Sequence, residues 1–568
     1  MWYPDSLLIG KMYAGYNFLY WNDLTMENRK TLLIISFLTL IGAGVGFATR
    51  AAAGPAWAAM GIDNDTFGAI MGYGFLGFGF VIFFGGILVE YMGYKKLLGI
   101  SILLHFVSAV LILAAPYMYD GWEASVGPEV ATANLTNLLM YSVLLFSICQ
   151  GLYEAVINPL VGQLYPENQT HYLNILHAGW PGGIIVGGVL AFCFQNDTAW
   201  IAEIEWHYIL ASYSVVLIGM TVMMLKQPFP ETTKSKNSVS LGVLFSCFLS
   251  VPFLVLIVAH ALIGSMELGV DSMQTRLMER LVENSVSVLI YTSALMFILR
   301  FFAGPIVHRI NPIGLLFISS LFAIAGLLWL GSEIESALII FAAATVYSLG
   351  KAFLWPTMLA IAGERYPQSG AIAMSTLGAA GMISVGFVGS AMIANQQTTT
   401  MNNTLQKNAP EVYARYADDD GALIPTMTQA AMEYDAAADD SELRAKKLAI
   451  VLGAARKDVQ DDLPDNIAAD GGAITKAFNT GGRTALTNTS ILPVGMAICF
   501  FGLLVYYKSI GGYKVLTLDG GNGNDGEDEP SSDAPTDDTD PLAVTTVEEG
   551  AGECCGGDEA GEGGDGGG

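Results

Sequence analysis

Charge is scarce in this chain. Only 14% of its 568 residues are charged and 53% are hydrophobic, with a mean hydropathy of +0.48. So little charge excludes a soluble globular protein and suits a bundle of membrane helices. Cysteine is scarce too. Of the six, Cys149, Cys193, Cys247 and Cys499 fall in apolar segments, and Cys554 and Cys555 are adjacent in the C-terminal tail. No spacing among them suggests a disulfide framework or a zinc site. The glycine-rich run from Gly72 to Gly79 has neither the preceding strand nor the GK[ST] end of a phosphate loop. Small residues at that spacing indicate close helix packing in lipid. No metal cluster, cofactor motif, nucleophile constellation or nucleic-acid signature is present, so neither an enzyme nor an ATP-driven pump is expected. Work must come from an ion gradient. The N-terminus lacks a signal peptide with a small-residue cleavage site, and the first membrane helix is expected to serve as its own insertion signal. Lys and Arg are absent after Lys514, where Gly, Asp and Glu dominate. Much of the net charge of −26 therefore belongs to a tail that cannot bury enough apolar surface to order itself.

Apolar runs of about 20 residues are what the chain has in quantity, the length that spans a hydrocarbon core. They predict twelve helices near 31–56, 66–91, 97–117, 136–160, 172–195, 205–226, 252–275, 284–308, 312–331, 336–360, 368–394 and 488–508. Arg29, Lys30, Lys95, Lys96, Lys226, Lys234, Lys236, Arg309, Arg365, Lys508 and Lys514 flank one membrane face. The opposite loops carry few basic residues, with Arg276 and Arg280 as exceptions. The bias predicts a multi-pass protein of the cell (inner) membrane with both termini in the cytoplasm. The expected organisation is a cytoplasmic N-terminal segment 1–30, a six-helix half 31–226, a cytoplasmic linker 227–251 and helices 7–11 over 252–394. An extracytoplasmic insertion 395–487, helix 12 at 488–508 and an acidic disordered cytoplasmic tail 509–568 complete it. Within the insertion, DSELRAKKLAIVLGAARKDVQDDL reads as one amphipathic helix. A connection this long is either functional or loosely ordered.

The two halves echo each other. GILVEYMGYKK, from Gly86 to Lys96, follows helix 2, and GPIVHRINP, beginning at Gly304, follows helix 8. Tyr165-Pro166-Glu167 follows helix 4, and Glu364-Arg365-Tyr366-Pro367 follows helix 10. Matching signatures at matching places indicate a parallel repeat with a substrate site between the halves. With twelve spans, this pattern resembles the major facilitator superfamily. Gly86, Leu88, Glu90, Gly93, Lys95 and Lys96 fit its gating signature between helices 2 and 3, with Glu90 for the usual Asp and Tyr91 for the usual Arg. An acid there can pair with basic groups, or with a helix N-terminus across the half-interface. Gly304 and Arg309 form the second gating copy, and Arg300, four residues before Gly304, is either the start of that copy or a buried substrate clamp, the gate being favoured.

The stretch Glu154-Ala-Val-Ile-Asn158-Pro159, followed by Leu-Tyr165-Pro166-Glu167 and His171-Tyr-Leu-Asn174, is similar to the fucose:proton symporter branch. That resemblance implies an all-α membrane protein of twelve transmembrane helices in two pseudo-symmetric halves, with Glu154 as proton carrier and Asn158 beside it. The chain departs from the branch at His177-Ala-Gly-Trp180-Pro181 on helix 5. On helix 1 it has Arg50 where the branch has an acid.

The residues themselves point the same way. A carboxylate mid-membrane costs roughly 2.5–3.5 kcal/mol on insertion scales, which makes Glu154 a functional candidate. Arg50 either pairs with an acid such as Glu154 or Glu267, or binds an anionic or hydroxylated solute group. His260, Glu267 and Asp271 share one face of helix 7. Glu267 is the second proton-coupling candidate, and Asp271 reads as solvated near the interface. Lys351, with Tyr347 and Trp355 one turn to either side, looks like a pocket wall. Asn158, His177, Trp180 and His260 complete the substrate-binding set, although a lone His is more often structural. The expected function is a secondary transporter that moves a small polar solute, such as a sugar, with a coupling proton by alternating access. The alternatives are an organic-anion carrier or exchanger, favoured by three interior cations, and a transporter-like membrane sensor using the insertion or the tail.

Overall fold

In lipid, backbone N–H and C=O groups must be satisfied within the protein, which makes helix the available solution for long apolar runs. The computed structural model describes residues 25–62, 64–194, 200–237, 240–278, 286–334, 336–437 and 440–516. Most of the N-terminal segment, Arg280 and the acidic tail with Cys554 and Cys555 lie outside the described residues. The first half comprises α1 (Met26–Ala52), α2 (Asn64–Met92), α3 (Tyr94–Val126), α4 (Pro128–Leu164), α5 (Gln169–Phe194) and α6 (Tyr213–Leu225). The second comprises α7 (Val251–Met278), α8 (Val286–Arg300, resuming as Ala303–Ile310), α9 (Pro312–Leu330), α10 (Ala337–Lys351, resuming as Leu354–Arg365), α11 (Gly370–Ser384) and α12 (Ile491–Ser509). Eleven described helices are long and apolar enough to cross a membrane, or twelve when α8, bent by 62° at its break, counts as one span.

Hydropathy sees only the apolar part of a helix. α3 and α4 therefore outrun their expected limits of 97–117 and 136–160, continuing through polar sequence to meet at Gly127. The larger correction concerns the insertion. Its expected limits fall inside continuous helices. A π-helical turn, Val385–Gly389, carries α11 into Ser390–Asn408, and Leu463–Thr489 leads into α12. Between them lie helices Pro410–Tyr416, Pro425–Ala436 and Ser441–Ala454. The segment read as one amphipathic helix breaks after Ala454, where Ala455 turns extended. These pieces enclose an apolar core around Leu405, Tyr416, Met427, Val451, Ile467 and Phe478, so the insertion is a packed subdomain. Beside that core, Arg415 Nε donates to the buried Asp470 at 2.9 Å. The bond to this carboxylate holds the Arg415 guanidinium above its ordinary pKa. Losing a charged hydrogen bond of this kind costs about 1–3 kcal/mol. Asp470→Ala is therefore expected to raise amide hydrogen exchange in Pro410–Tyr416 about tenfold, with α1–α10 unchanged.

The halves meet chiefly along two helix pairs, α2 with α11 and α5 with α8, and α5 also packs against α10 and α4 against α11. At Gly86 a Cβ would lie 2.6 Å from the Ser375 side chain on α11, so glycine is what allows this approach. Gly93, at φ +80°, makes the one-residue turn between α2 and α3.

Candidate functional site

A cavity of about 750 Å³, its open mouth included, lies between the halves. Its walls come from α1, α2, α4 and α5 on one side and α7, α8, α10 and α11 on the other. Of the residues singled out in the sequence, Arg50, Glu154, His177, Trp180, Glu267, Arg300 and Trp355 line it.

Glu154 is 6% exposed and accepts a 2.6 Å hydrogen bond from Asn158 Nδ2, one helical turn on. His177 Nε2 lies 2.9 Å from Asn158 Oδ1 and 3.9 Å from Glu154 Oε2. The amide thus joins the carboxyl of α4 to the imidazole of α5. Asn158 stands behind the wall and orients Glu154.

Arg300 is placed by two prolines. Pro181 has no N–H, so the carbonyl of His177 loses its partner within α5, and Pro356 does the same to Ala352 where α10 breaks. Arg300 sits at the break of α8 and fills both vacancies, Nη1 donating to His177 O and Nε to Ala352 O at 2.8 Å. Its Nη2 lies 3.3 Å from Glu267 Oε1. The sequence offered Arg300 as second gate or buried clamp, and in the structure it is a buried cavity residue tying α5, α7, α8 and α10 together.

Arg50 was expected either to pair with an acid such as Glu154 or Glu267 or to bind a solute group. Among the described residues it forms no ion pair. Its guanidinium carbon lies 4.8 Å from the Phe146 ring centroid, its Nε has no hydrogen-bond partner, and the residue is 7% exposed.

Three further expectations change. Lys351 is fully buried and bonded to Asp271, away from the cavity lining, because α7 and α10 bring the two charges together in the second half. Asp271 is therefore an ion-pair partner and not a solvated interface residue. Tyr347, also buried, reaches Met266 O at 3.5 Å and lies 5.3 Å from Lys351 Nζ. His260 does not face the cavity but backs Trp355, with ring centroids 4.4 Å apart and neither ring nitrogen hydrogen-bonded.

At the end of α2, buried Glu90 accepts from the backbone N–H of Ala371 at 3.2 Å, at the start of α11, and from that of Lys234 at 2.9 Å. An acid at a helix N-terminus is favourable. Lys95 caps the end of α6 instead, donating to Leu225 O and Gln227 O, and Lys96 is exposed. In the second copy, Gly304 packs against His171, where a Cβ would lie 2.8 Å from Nδ1, and Arg309 is exposed. Next to His171, Thr170 Oγ1 donates to Glu364 at 2.7 Å, again between halves. These bonds close the Glu90 end of the bundle. Glu90→Ala is expected to loosen it by about 1–3 kcal/mol. The measurement is alkylation of a cysteine placed at Ser375, and the expected result is at least a fivefold faster reaction from the Glu90 side.

Sequence reasoning overlooked Gln150, Phe47, Phe75, Phe78 and Phe146, all in the wall. Gln150 carried a signal, being a polar residue one turn before Glu154 in the same apolar run. The Trp-Pro pairs at 180–181 and 355–356 carried another, since both tryptophans line the cavity and both prolines free a carbonyl for Arg300.

Two packed helical halves enclosing a charged cavity describe a multi-pass membrane transporter. The model of the Major Facilitator Superfamily matches residues 32–390, and the chain belongs to that superfamily. It is a transporter and not an enzyme. No curated protein matches the sequence. Among solved structures, the E. coli fucose:proton symporter aligns over 83% of this chain and 98% of its own, at 14% identity and TM-score 0.50. The proton:xylose symporter aligns over 67% and 90%, at 14% identity and TM-score 0.54. A bacterial homolog of the human lysosomal transporter Spinster, in an inward-facing and occupied conformation, aligns over 83% and 95%, at 14% identity and TM-score 0.52. At these identities the likeness is one of fold.

Proposed function

We propose that the protein is a proton-coupled symporter that carries a small polar solute across the cell membrane by alternating access, with Glu154 as the proton carrier. One observation carries this reading. Glu154 is the cavity carboxyl held by a neutral amide, whereas Glu267 is held by a cation. A carboxyl without a bound cation can gain and lose a proton without breaking an ion pair, and a buried one is rarely retained without a role. Glu267, the second coupling candidate, then serves to fix Arg300.

In the cycle, the bundle stands open on the side away from Glu90, and Glu154 takes up a proton. The solute binds between Arg50, His177 and the rings of Trp180 and Trp355. The bonds of Glu90 with α11 and of Thr170 with Glu364 then release, the halves rock about the site, and solute and proton leave at the Glu90 end. The basic loops support a cytoplasmic position for that end, and for both termini. Lys351 and Asn158, expected in direct contact with solute, act behind the wall.

The test is uptake into proteoliposomes with an alkaline lumen, using radiolabelled L-fucose, uridine and 4-hydroxybenzoate, with protein-free liposomes as control. Accumulation of one probe that collapses with a protonophore is expected. Carrier-dependent uptake indifferent to the pH gradient would contradict the coupling.

A further inference from the structure

The reading above gives Arg50 to the solute but leaves its charge unanswered. Its charge sits on α1, in the cavity wall, with no carboxylate partner among the described residues. Two things make it tolerable there, the ring of Phe146 beneath it and its place in the last turn of α1, where the helix dipole favours a cation. Neither satisfies its N–H donors, and Nε is orphaned. The other titratable groups in electrostatic range of Arg50 are Tyr213 and His105, neither of which supplies a negative charge as a neutral side chain. A buried guanidinium without a counter-ion is costly, and its planar fork matches a carboxylate in bidentate fashion.

The remaining charges fix how many negative charges the solute brings. Arg300 and Glu267 cancel each other. His177 Nε2 sits on the Asn158 amide oxygen, a contact that a neutral imidazole protonated at Nε2 already satisfies. Glu154 is the remaining charged group of the lining. With Glu154 ionised the charges of the lining sum to zero, and with Glu154 protonated the cavity carries one net positive charge. The rest of the wall is mostly apolar or aromatic, with Phe47, Phe75, Phe78, Trp180 and Trp355 among it. One uncompensated guanidinium in an aromatic chamber fits one anionic group on an apolar body.

Resting on the proton-coupled reading, we propose that the solute is a small organic monoanion, a carboxylate on an apolar or aromatic body, and that Arg50 binds the carboxylate. Protonation of Glu154 then precedes anion binding on electrostatic grounds, and the loaded cavity is neutral. One proton and one monoanion cross together, with no net charge moved. A neutral sugar carried with one proton would instead move one positive charge per cycle.

Thermal unfolding of the purified full-length protein tests the binding claim. The probes are 4-hydroxybenzoate, phenylacetate and 3-phenylpropionate, each beside its primary amide, together with L-fucose. A ligand that binds only the folded state raises Tm. At least one carboxylate is expected to raise Tm where its amide does not, with affinity at least tenfold weaker in Arg50→Gln and partly restored in Arg50→Lys. Stabilisation by L-fucose or by the amides equally well, no shift from any carboxylate, or a shift unchanged in Arg50→Gln would overturn the proposal. Should Arg50→Gln not fold, the carboxylate-to-amide comparison in the wild type decides. Proteoliposomes separate this inference from the reading beneath it. Uptake driven by a pH gradient and indifferent to a potassium-diffusion potential supports both. Uptake driven by the potential as well overturns the monoanion and leaves proton coupling standing. Carboxylate binding with no response to the pH gradient overturns the coupling and leaves the binding site standing.

Discussion

Glu154→Gln is expected to abolish uphill accumulation while sparing exchange. Glutamine has the size and neutrality of the protonated acid, and it can still accept from Asn158 Nδ2, the 2.6 Å bond that orients the wild-type side chain. It cannot release a proton. One pH unit across the membrane is worth about 1.4 kcal/mol per proton, so a one-proton symporter can concentrate its solute about tenfold per unit. In the variant that ratio is expected to fall to one. Counterflow, in which labelled solute enters against unlabelled solute inside, needs only the loaded carrier to reorient and is expected to stay within about threefold of wild type. Loss of both activities would mark Glu154 as a structural residue, and retention of accumulation would move the proton to another group.

Arg300→Met is expected to produce the largest loss of stability, and a second substitution to reverse part of it. The single change removes the partner of Glu267 and leaves the carbonyls of His177 and Ala352 unanswered. Stranding a buried charge costs about 3–5 kcal/mol. Arg300→Met with Glu267→Gln removes the stranded charge but not the two carbonyls, each worth about 1–3 kcal/mol. The double variant is therefore expected to unfold at a higher temperature than Arg300→Met and below wild type. A double variant no more stable than the single one would show that the carbonyls, and not the ion pair, are what Arg300 serves.

The bundle was legible because membrane helices are written in composition. Lipid demands about 20 apolar residues per span, and the two signature copies gave the repeat. The contents of the cavity were harder to read, and the reason is geometrical. A sequence shows that Arg50, Glu154, Glu267, Arg300 and Lys351 are interior charges, but pairing depends on which helices touch. α7 meets α10 closely enough for Asp271 to take Lys351, and the break in α8 turns Arg300 toward Glu267. Arg50, on α1, is left with Phe146. Glu154 with Asn158 was readable because four residues on one helix share a face. The insertion was misjudged for the opposite reason. Its helices bury a small core of Ala, Met and single large residues, a pattern too sparse to stand out beside membrane spans.

The most direct measurement of the account is solute-driven proton movement. Wild-type proteoliposomes with equal pH on both sides and a pH dye in the lumen receive the stabilising probe from outside. The account predicts lumenal acidification that follows solute entry one proton per solute, and none with Glu154→Gln. Solute entry with no change in lumenal pH, or the same acidification in the variant, would contradict it.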